Sequence, residues 1–95
     1  MSPVSERIEV TEMGRLEYAV RVTEGEDTTH HRVVVPEQLL DTLLLEEEDG
    51  ARLVHEAIAY VMEEEHADAI PDDLVLSQLI AEHEDFLPEM RQRLT

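Results

Sequence analysis

Residues 50–66 read GARLVHEAIAYVMEEEH, and they decide the fold. Leu53, Val54, Ala57, Ile58, Val61 and Met62 recur at helical spacing and form one broad apolar stripe. Arg52, Glu56, Glu63 and Glu64 fall mostly on the other side. The spacing predicts an amphipathic helix from Gly50 to His66. A stripe of that width needs a partner surface, and the chain on either side offers one: a small sheet before it and shorter helices after it.

Working back toward the N-terminus, Ile8 and Val10 alternate with Arg7, Glu9 and Thr11, the pattern of a half-buried strand. Leu16, Tyr18, Val20 and Val22 alternate with Glu17, Ala19 and Arg21 in a second strand. Opposed residues of an antiparallel pair share a face. The inward residues of both strands are even-numbered, so the connection must hold an odd number of residues. A three-residue loop of Met13, Gly14 and Arg15, with Gly14 left-handed, meets that condition. The next connection, Glu24-Gly25-Glu26-Asp27, sets Val33 opposite Tyr18, His31 opposite Val20 and Val35 opposite Leu16. His30, Arg32 and Val34 then point outward. The expected sheet is a three-stranded antiparallel meander with one apolar face. The other face carries Arg7, Arg21 and Arg32, with Glu9 and Glu17 among them.

Pro36 stops the third strand and suits the first turn of a helix. That helix is expected to reach Leu45, with Leu39, Leu40, Leu43 and Leu44 on its apolar side. Asp49 fits as N-cap of the central helix. Beyond His66, residues 67–71 read as a linker. Asp72 and Asp73 suit the start of another helix, with Leu74, Val75, Leu76, Leu79 and Ile80 on its apolar side. Pro88 suits the start of a last helix ending at Leu94. The fold class is therefore α+β: a three-stranded antiparallel meander packed on a central helix with three shorter helices. One domain is expected over residues 1–95, with a loose N-terminus at 1–5, the meander at 6–35 and a helical part at 36–95.

Charge dominates the composition. Twenty-four acidic residues face seven basic ones, a formal net charge of −17. All seven bases are arginine. Such like charge repels itself and works against the compact state in dilute buffer. At about 1 M salt the Debye length falls to roughly 3 Å and the repulsion fades. A halophilic, cytoplasmic setting is the expectation. No apolar run is long enough to span a bilayer and no secretory leader opens the chain.

The residue inventory excludes much chemistry. Without lysine there is no phosphate-loop lysine and no Schiff base, and without cysteine there is no thiol nucleophile or disulfide. No serine sits in a Gly-x-Ser-x-Gly elbow, and Gly14, Gly25 and Gly50 are too scattered for a dinucleotide fingerprint. His55-Glu56 opens like a zincin motif, but Ala59 stands where the second histidine belongs. Glu47, Asp49, Gly50 and Glu56 match four positions of a calcium loop, yet Leu45 and Arg52 fill its first-ligand and apolar positions. His66, Asp68, Asp72 and Asp73 are the remaining cluster with metal-ligand chemistry, set against a reading as capping acids on a solvated loop. His31 reads as a hydrogen-bonded histidine at the core edge. No catalytic residue, metal ligand or cofactor site is therefore expected. Two glutamate triplets, 46–48 and 63–65, fall at or beyond helix C-termini, where the dipole disfavours them. They suit a salt-screened surface, a cation or an arginine-bearing partner.

Two resemblances add to this reading. A meander, a strand ending in Pro36 and a Leu-rich helix precede Arg52-Leu53-Val54-x-Glu56 and Val61-Met62-Glu63-Glu64-Glu65. Ile70, Leu76, Ile80, Phe86-Leu87-Pro88-Glu89, Arg91 and Arg93-Leu94 follow. That order resembles a group of small, largely actinobacterial α+β proteins of unknown function. Those have a longer, aromatic-rich central helix and Phe-Pro-Glu near the end, where this chain has Phe-Leu-Pro-Glu. The resemblance implies no activity and no site residues. Residues 30–43, HHRVVVPEQLLDTL, also resemble the swapped-hairpin transcription factors of bacterial antitoxins. DNA affinity rests largely on counterion release by basic residues, which the net charge opposes.

Charge is unevenly divided. Residues 1–35 hold seven acids and four arginines, a net of −3; residues 36–95 hold seventeen acids and three arginines, a net of −14. The outer sheet face is the least acidic surface. The expected function is a non-catalytic interaction or regulatory module, with a homodimer formed through that face or a strand edge and Arg7, Arg21 and Arg32 as partner-binding residues. The alternatives are an antitoxin-like or transcription-regulator-like DNA-associated protein and, behind it, a carboxylate-metal enzyme. No membrane partner is expected.

Overall fold

A computed structural model describes residues 6–94. The expected loose end at residues 1–5 lies outside the described residues. The elements run in the order β1 (Glu6–Gly14), β2 (Glu17–Glu24), β3 (Asp27–Val34), α1 (Glu37–Leu43), α2 (Gly50–Met62), β4 (Asp73–Val75), α3 (Ser77–Glu82) and α4 (Phe86–Leu94). Short 3₁₀ turns at Glu47–Asp49 and Ala67–Ala69 lead into and away from α2 and its following loop. The class is α+β. The sheet has four strands in the order β1-β2-β3-β4, with β4 parallel to β3, so the three-stranded antiparallel meander is a part of a mixed sheet.

The β2–β3 register is as the loop length dictates. Tyr18 faces Val33 and Val20 faces His31, and the Val35 N–H donates to the Leu16 carbonyl at 2.9 Å. Each strand continues one residue further than expected, to the Glu24–Asp27 pair, so Gly25 and Glu26 alone make the turn, with Gly25 at φ 63°.

The β1–β2 hairpin departs from expectation. A three-residue loop would set Val10 opposite Tyr18, but Val10 faces Val20 and Ile8 faces Val22. The turn is Arg15-Leu16, closed by the Gly14–Glu17 pair. Its left-handed residue is Leu16 (φ 59°), not Gly14. The register breaks between Glu12 and Gly14, where Met13 is the extra residue of a bulge. The bulge restores the parity that a two-residue turn would otherwise invert, so Ile8 and Val10 stay on the core side. A left-handed leucine costs about 1–2 kcal/mol. Burial of the Leu16 side chain, 7% exposed, offsets that.

The third departure lies at residues 72–76. The expected helix there is a short strand followed by a helix. Leu74 and Leu76 are buried while Val75 is 38% exposed, a period of two. The Arg32 N–H donates to the Asp72 carbonyl at 2.7 Å and the Leu76 N–H to the Val34 carbonyl at 3.0 Å, extending the parallel pairing at both ends. The Gln78 side chain accepts from the Val75 N–H at 3.1 Å, and α3 begins there. The part of the chain after residue 35 is thus not wholly helical.

All helices cover one face of the sheet. α2 ends at Met62, a turn short of His66, and buries Leu53, Val54, Ala57, Ile58, Val61 and Met62 against the sheet and α4. Tyr18, Val20, Val22 and Val33 meet it from the sheet, and Phe86 and Met90 from α4. Gly50 opens α2 where the Tyr18 ring crosses it, and a Cβ at that position would overlap the phenol. Asp49 occupies the N-cap position without a side-chain cap bond. Its carboxylate instead accepts from the Glu46 N–H at 3.0 Å, one half of a capping box that closes the preceding turn. α1 ends at a left-handed Leu44, with the Leu45 N–H bonded to the Leu40 carbonyl at 2.8 Å and the Leu44 N–H to the Asp41 carbonyl at 3.2 Å, a Schellman arrangement. Leu44 was expected on the apolar side of α1; it is 91% exposed.

Candidate functional site: the outer face of the sheet

The face of the sheet opposite the helices is built by strand alternation. Arg7 and Glu9 come from β1, Glu17, Ala19 and Arg21 from β2, His30, Arg32 and Val34 from β3, and Asp73 and Val75 from β4. The three expected partner-binding arginines, Arg7, Arg21 and Arg32, all lie on it, each more than half exposed at the side chain.

They are not free. Arg21 stands opposite Glu9 and is ion-paired with it, and Arg7 approaches the same carboxylate at 3.7 Å. Arg32 donates from Nε to the Glu17 carboxylate and lies 3.6 Å from Asp73. The hydrogen bond from Arg32 to Glu17 raises the arginine's pKa. Three arginines therefore meet three carboxylates, Glu9, Glu17 and Asp73, and the local sum is zero in a chain of −17. Between the ion pairs lies a shallow depression floored by Ala19 and rimmed by Glu9, Thr11, Arg21 and His30. Ala19 stands between Thr11 on one side and Arg32 on the other, at the middle of the face.

The other candidates are dispersed. His66 Nδ1 lies 3.4 Å from the Glu24 carboxylate, which also accepts from the Ala67 N–H at 3.1 Å. Asp73 turns to Arg32 instead. Among the described residues, no three histidine, aspartate or glutamate side chains are grouped to hold a metal ion. His31 is 5% exposed, with Nε2 2.8 Å from the Thr29 hydroxyl and Nδ1 2.9 Å from the Pro71 carbonyl. It ties β3 to the segment before β4, the core-edge role its position suggests.

Sequence reading missed two ionic staples. Arg15, at the β1–β2 turn, bonds both Glu37 of α1 and Glu47 of the following turn. Arg93 of α4 reaches Glu56 at 3.6 Å, Glu89 at 3.1 Å and Glu63, and its guanidinium lies 5.6 Å from the Tyr60 ring centroid. Each glutamate triplet thus gives one member to an arginine of the same chain. Apart from Glu89, those partners lie tens of residues from their arginines, beyond the reach of local pattern. The available signal was slight: Arg15 stands alone between Glu12 and Glu17, and Arg93 follows Arg91 near the end of the chain.

No protein-family model, curated protein or solved structure matches the chain. No helix among the described residues is long and apolar enough to cross a membrane.

Proposed function

We propose that the chain is a small, acidic, non-catalytic interaction module. Its contact surface is the outer face of the sheet, and its partner is a protein, most simply a second copy of the chain. One observation carries this reading: the sheet face that the helices leave uncovered is also electrically neutral, three arginines against three carboxylates in a chain of −17. Like-charged copies approach with least repulsion through their least charged surface. Exposed Val75 and part-buried Ala19 and Val34 add apolar area to it. The pairing of Arg7, Arg21 and Arg32 with carboxylates weighs against a phosphate-binding role, because arginines already neutralised release fewer counterions. The same reading takes the acidic helical surface as suited to a salt-rich cytoplasm. The likeness to small actinobacterial α+β proteins belongs to the proposal and assigns no activity.

Sedimentation velocity of the wild type and of Arg21→Glu plus Arg32→Glu, in about 1 M KCl where surface repulsion is screened, tests the proposal. The expected result is a dimeric wild type and a monomeric double variant with an unchanged circular dichroism spectrum. Identical sedimentation of the two would overturn it.

A further inference from the structure

A cavity lies among the helices, between the C-terminal ends of α2 and α3. It is separate from the outer sheet face and does not depend on the reading above. Its walls are Val61 of α2, Ile70 after the 3₁₀ turn, Leu74 of β4 and Leu79 of α3. All four are buried and come from different parts of the chain, so packing of the fold fixes the walls. The cavity holds about 60 Å³ and opens to solvent at one end. A dry cavity of about 150 Å³ accepts a six-carbon ring, so about 60 Å³ takes a branch of roughly three carbons. His83 forms one side of the mouth, and its ring is held edge-on to Tyr60 at 5.6 Å.

The mouth is negative for two independent reasons. Glu65 and Glu82 line it, both exposed. Neither has an ion-pair partner among the described residues, whereas Glu56, Glu63 and Glu89 are all taken by Arg93. Two helices also end here. The Glu65 N–H closes α2 on the Val61 carbonyl at 3.0 Å, and the His83 N–H closes α3 on the Leu79 carbonyl at 2.9 Å. Val61 and Leu79 are themselves cavity walls, so the negative ends of both helix dipoles converge on the site. No arginine lines it. The aliphatic walls offer no oxygen ligands, so a bare metal ion finds no cage there.

We propose that this cavity is a binding site for a short branched alkylammonium. The aliphatic branch fills the space between Val61, Ile70, Leu74 and Leu79, and the ammonium stays at the mouth with Glu65 and Glu82. Volume sets the length of the branch, and charge complementarity sets the head group: an ammonium meets two unpaired carboxylates and two helix C-termini, whereas a carboxylate or phosphate is repelled by all four. The proposal also divides the labour of the glutamate triplet at 63–65. Glu63 serves the fold through Arg93, and Glu65 serves the ligand.

Titration of the full chain with three isosteric probes, followed by methyl and amide chemical shifts at constant salt, tests this. The probes are isobutylamine as its ammonium ion, isobutanol and 3-methylbutanoate. The expected result is saturable binding of isobutylammonium with a dissociation constant of roughly a few millimolar, moving the methyl signals of Val61, Ile70, Leu74 and Leu79. Isobutanol is expected to move the same signals about five- to tenfold more weakly, and 3-methylbutanoate to move none. Glu65→Gln plus Glu82→Gln, both at exposed positions, should lower the affinity for isobutylammonium to that for isobutanol. Leu79→Phe fills the cavity and should abolish binding of both; should that variant not fold by circular dichroism, the double glutamine variant decides alone. The absence of saturable shifts with isobutylammonium overturns the site. So do shifts scattered over the acidic surface that leave the four wall residues unmoved. Equal affinity for isobutanol, or an affinity unchanged in the double variant, overturns the role of the two carboxylates and with it the choice of an ammonium.

Discussion

On the inner side of β2, Tyr18, Val20 and Val22 are 2%, 1% and 0% exposed, pressed against a helix. On the outer side of the same strand, Glu17, Ala19 and Arg21 are held by ion pairs and open space. One face is closed by shape and the other by charge. Apolar burial contributes about 25 cal/mol per Å² and responds little to screening, whereas exposed ion pairs contribute at most about 1 kcal/mol each and fade with salt. The inner face thus fixes the fold, and the outer face stays open to solvent. The difference explains how a chain of −17 keeps its fold: the repelling charges sit mostly in the loops and helices after residue 35, away from the sheet's neutral face.

The sharpest way to break that division is at the seam between layers. Gly50→Ala places a methyl group against the Tyr18 phenol, and overpacking of this kind costs about 1–3 kcal/mol. Urea melts should show that loss at low and high KCl alike, and Tyr18→Phe in the Gly50→Ala background should recover part of it. A loss that disappears in salt would mean the seam is not held by shape.

Arg93→Met keeps the aliphatic stem while removing the guanidinium from Glu56, Glu63, Glu89 and the Tyr60 ring. The expected cost is about 1–2 kcal/mol, smaller at 2 M KCl than at 0.1 M. A cost that stays constant across salt would place this cluster with the apolar contacts.

The smallest effect concerns two leucines with the same backbone. Leu16 and Leu44 both sit at φ 59°. Leu16 is buried and Leu44 is 91% exposed, so nothing offsets the left-handed cost at residue 44. Leu44→Gly should therefore stabilise the chain by about 0.5–1 kcal/mol, read as a rise in urea midpoint. Leu16→Gly should destabilise it, because burial is lost along with the strain.

The same contrast explains what could be read from the sequence. The β2–β3 register follows from a loop length and a parity, both local, and Tyr18 and Val33 meet as expected. The stripe of α2 spans several turns, so its period is unmistakable. The β1 register misled because glycine is the usual left-handed residue, and here a buried leucine takes that role while a bulge corrects the parity. β4 was invisible because three residues show no period, and because the strand that pairs with it ends at Val34. On the outer face, the positions of Arg7, Arg21 and Arg32 follow from alternation alone. Their neutralisation follows only in part: Glu9 and Glu17 could be placed beside them, but Asp73 arrives on a strand that local pattern does not reveal.

A dilution series followed by amide chemical shifts in about 2 M KCl tests the central claim most directly, since screened conditions favour association. The account predicts that the shifts that move between concentrated and dilute protein belong to Thr11, Ala19, Arg21, Arg32 and Val34, with α1, α3 and α4 unmoved. Shifts that move on those helices while the outer strands stay fixed would contradict it.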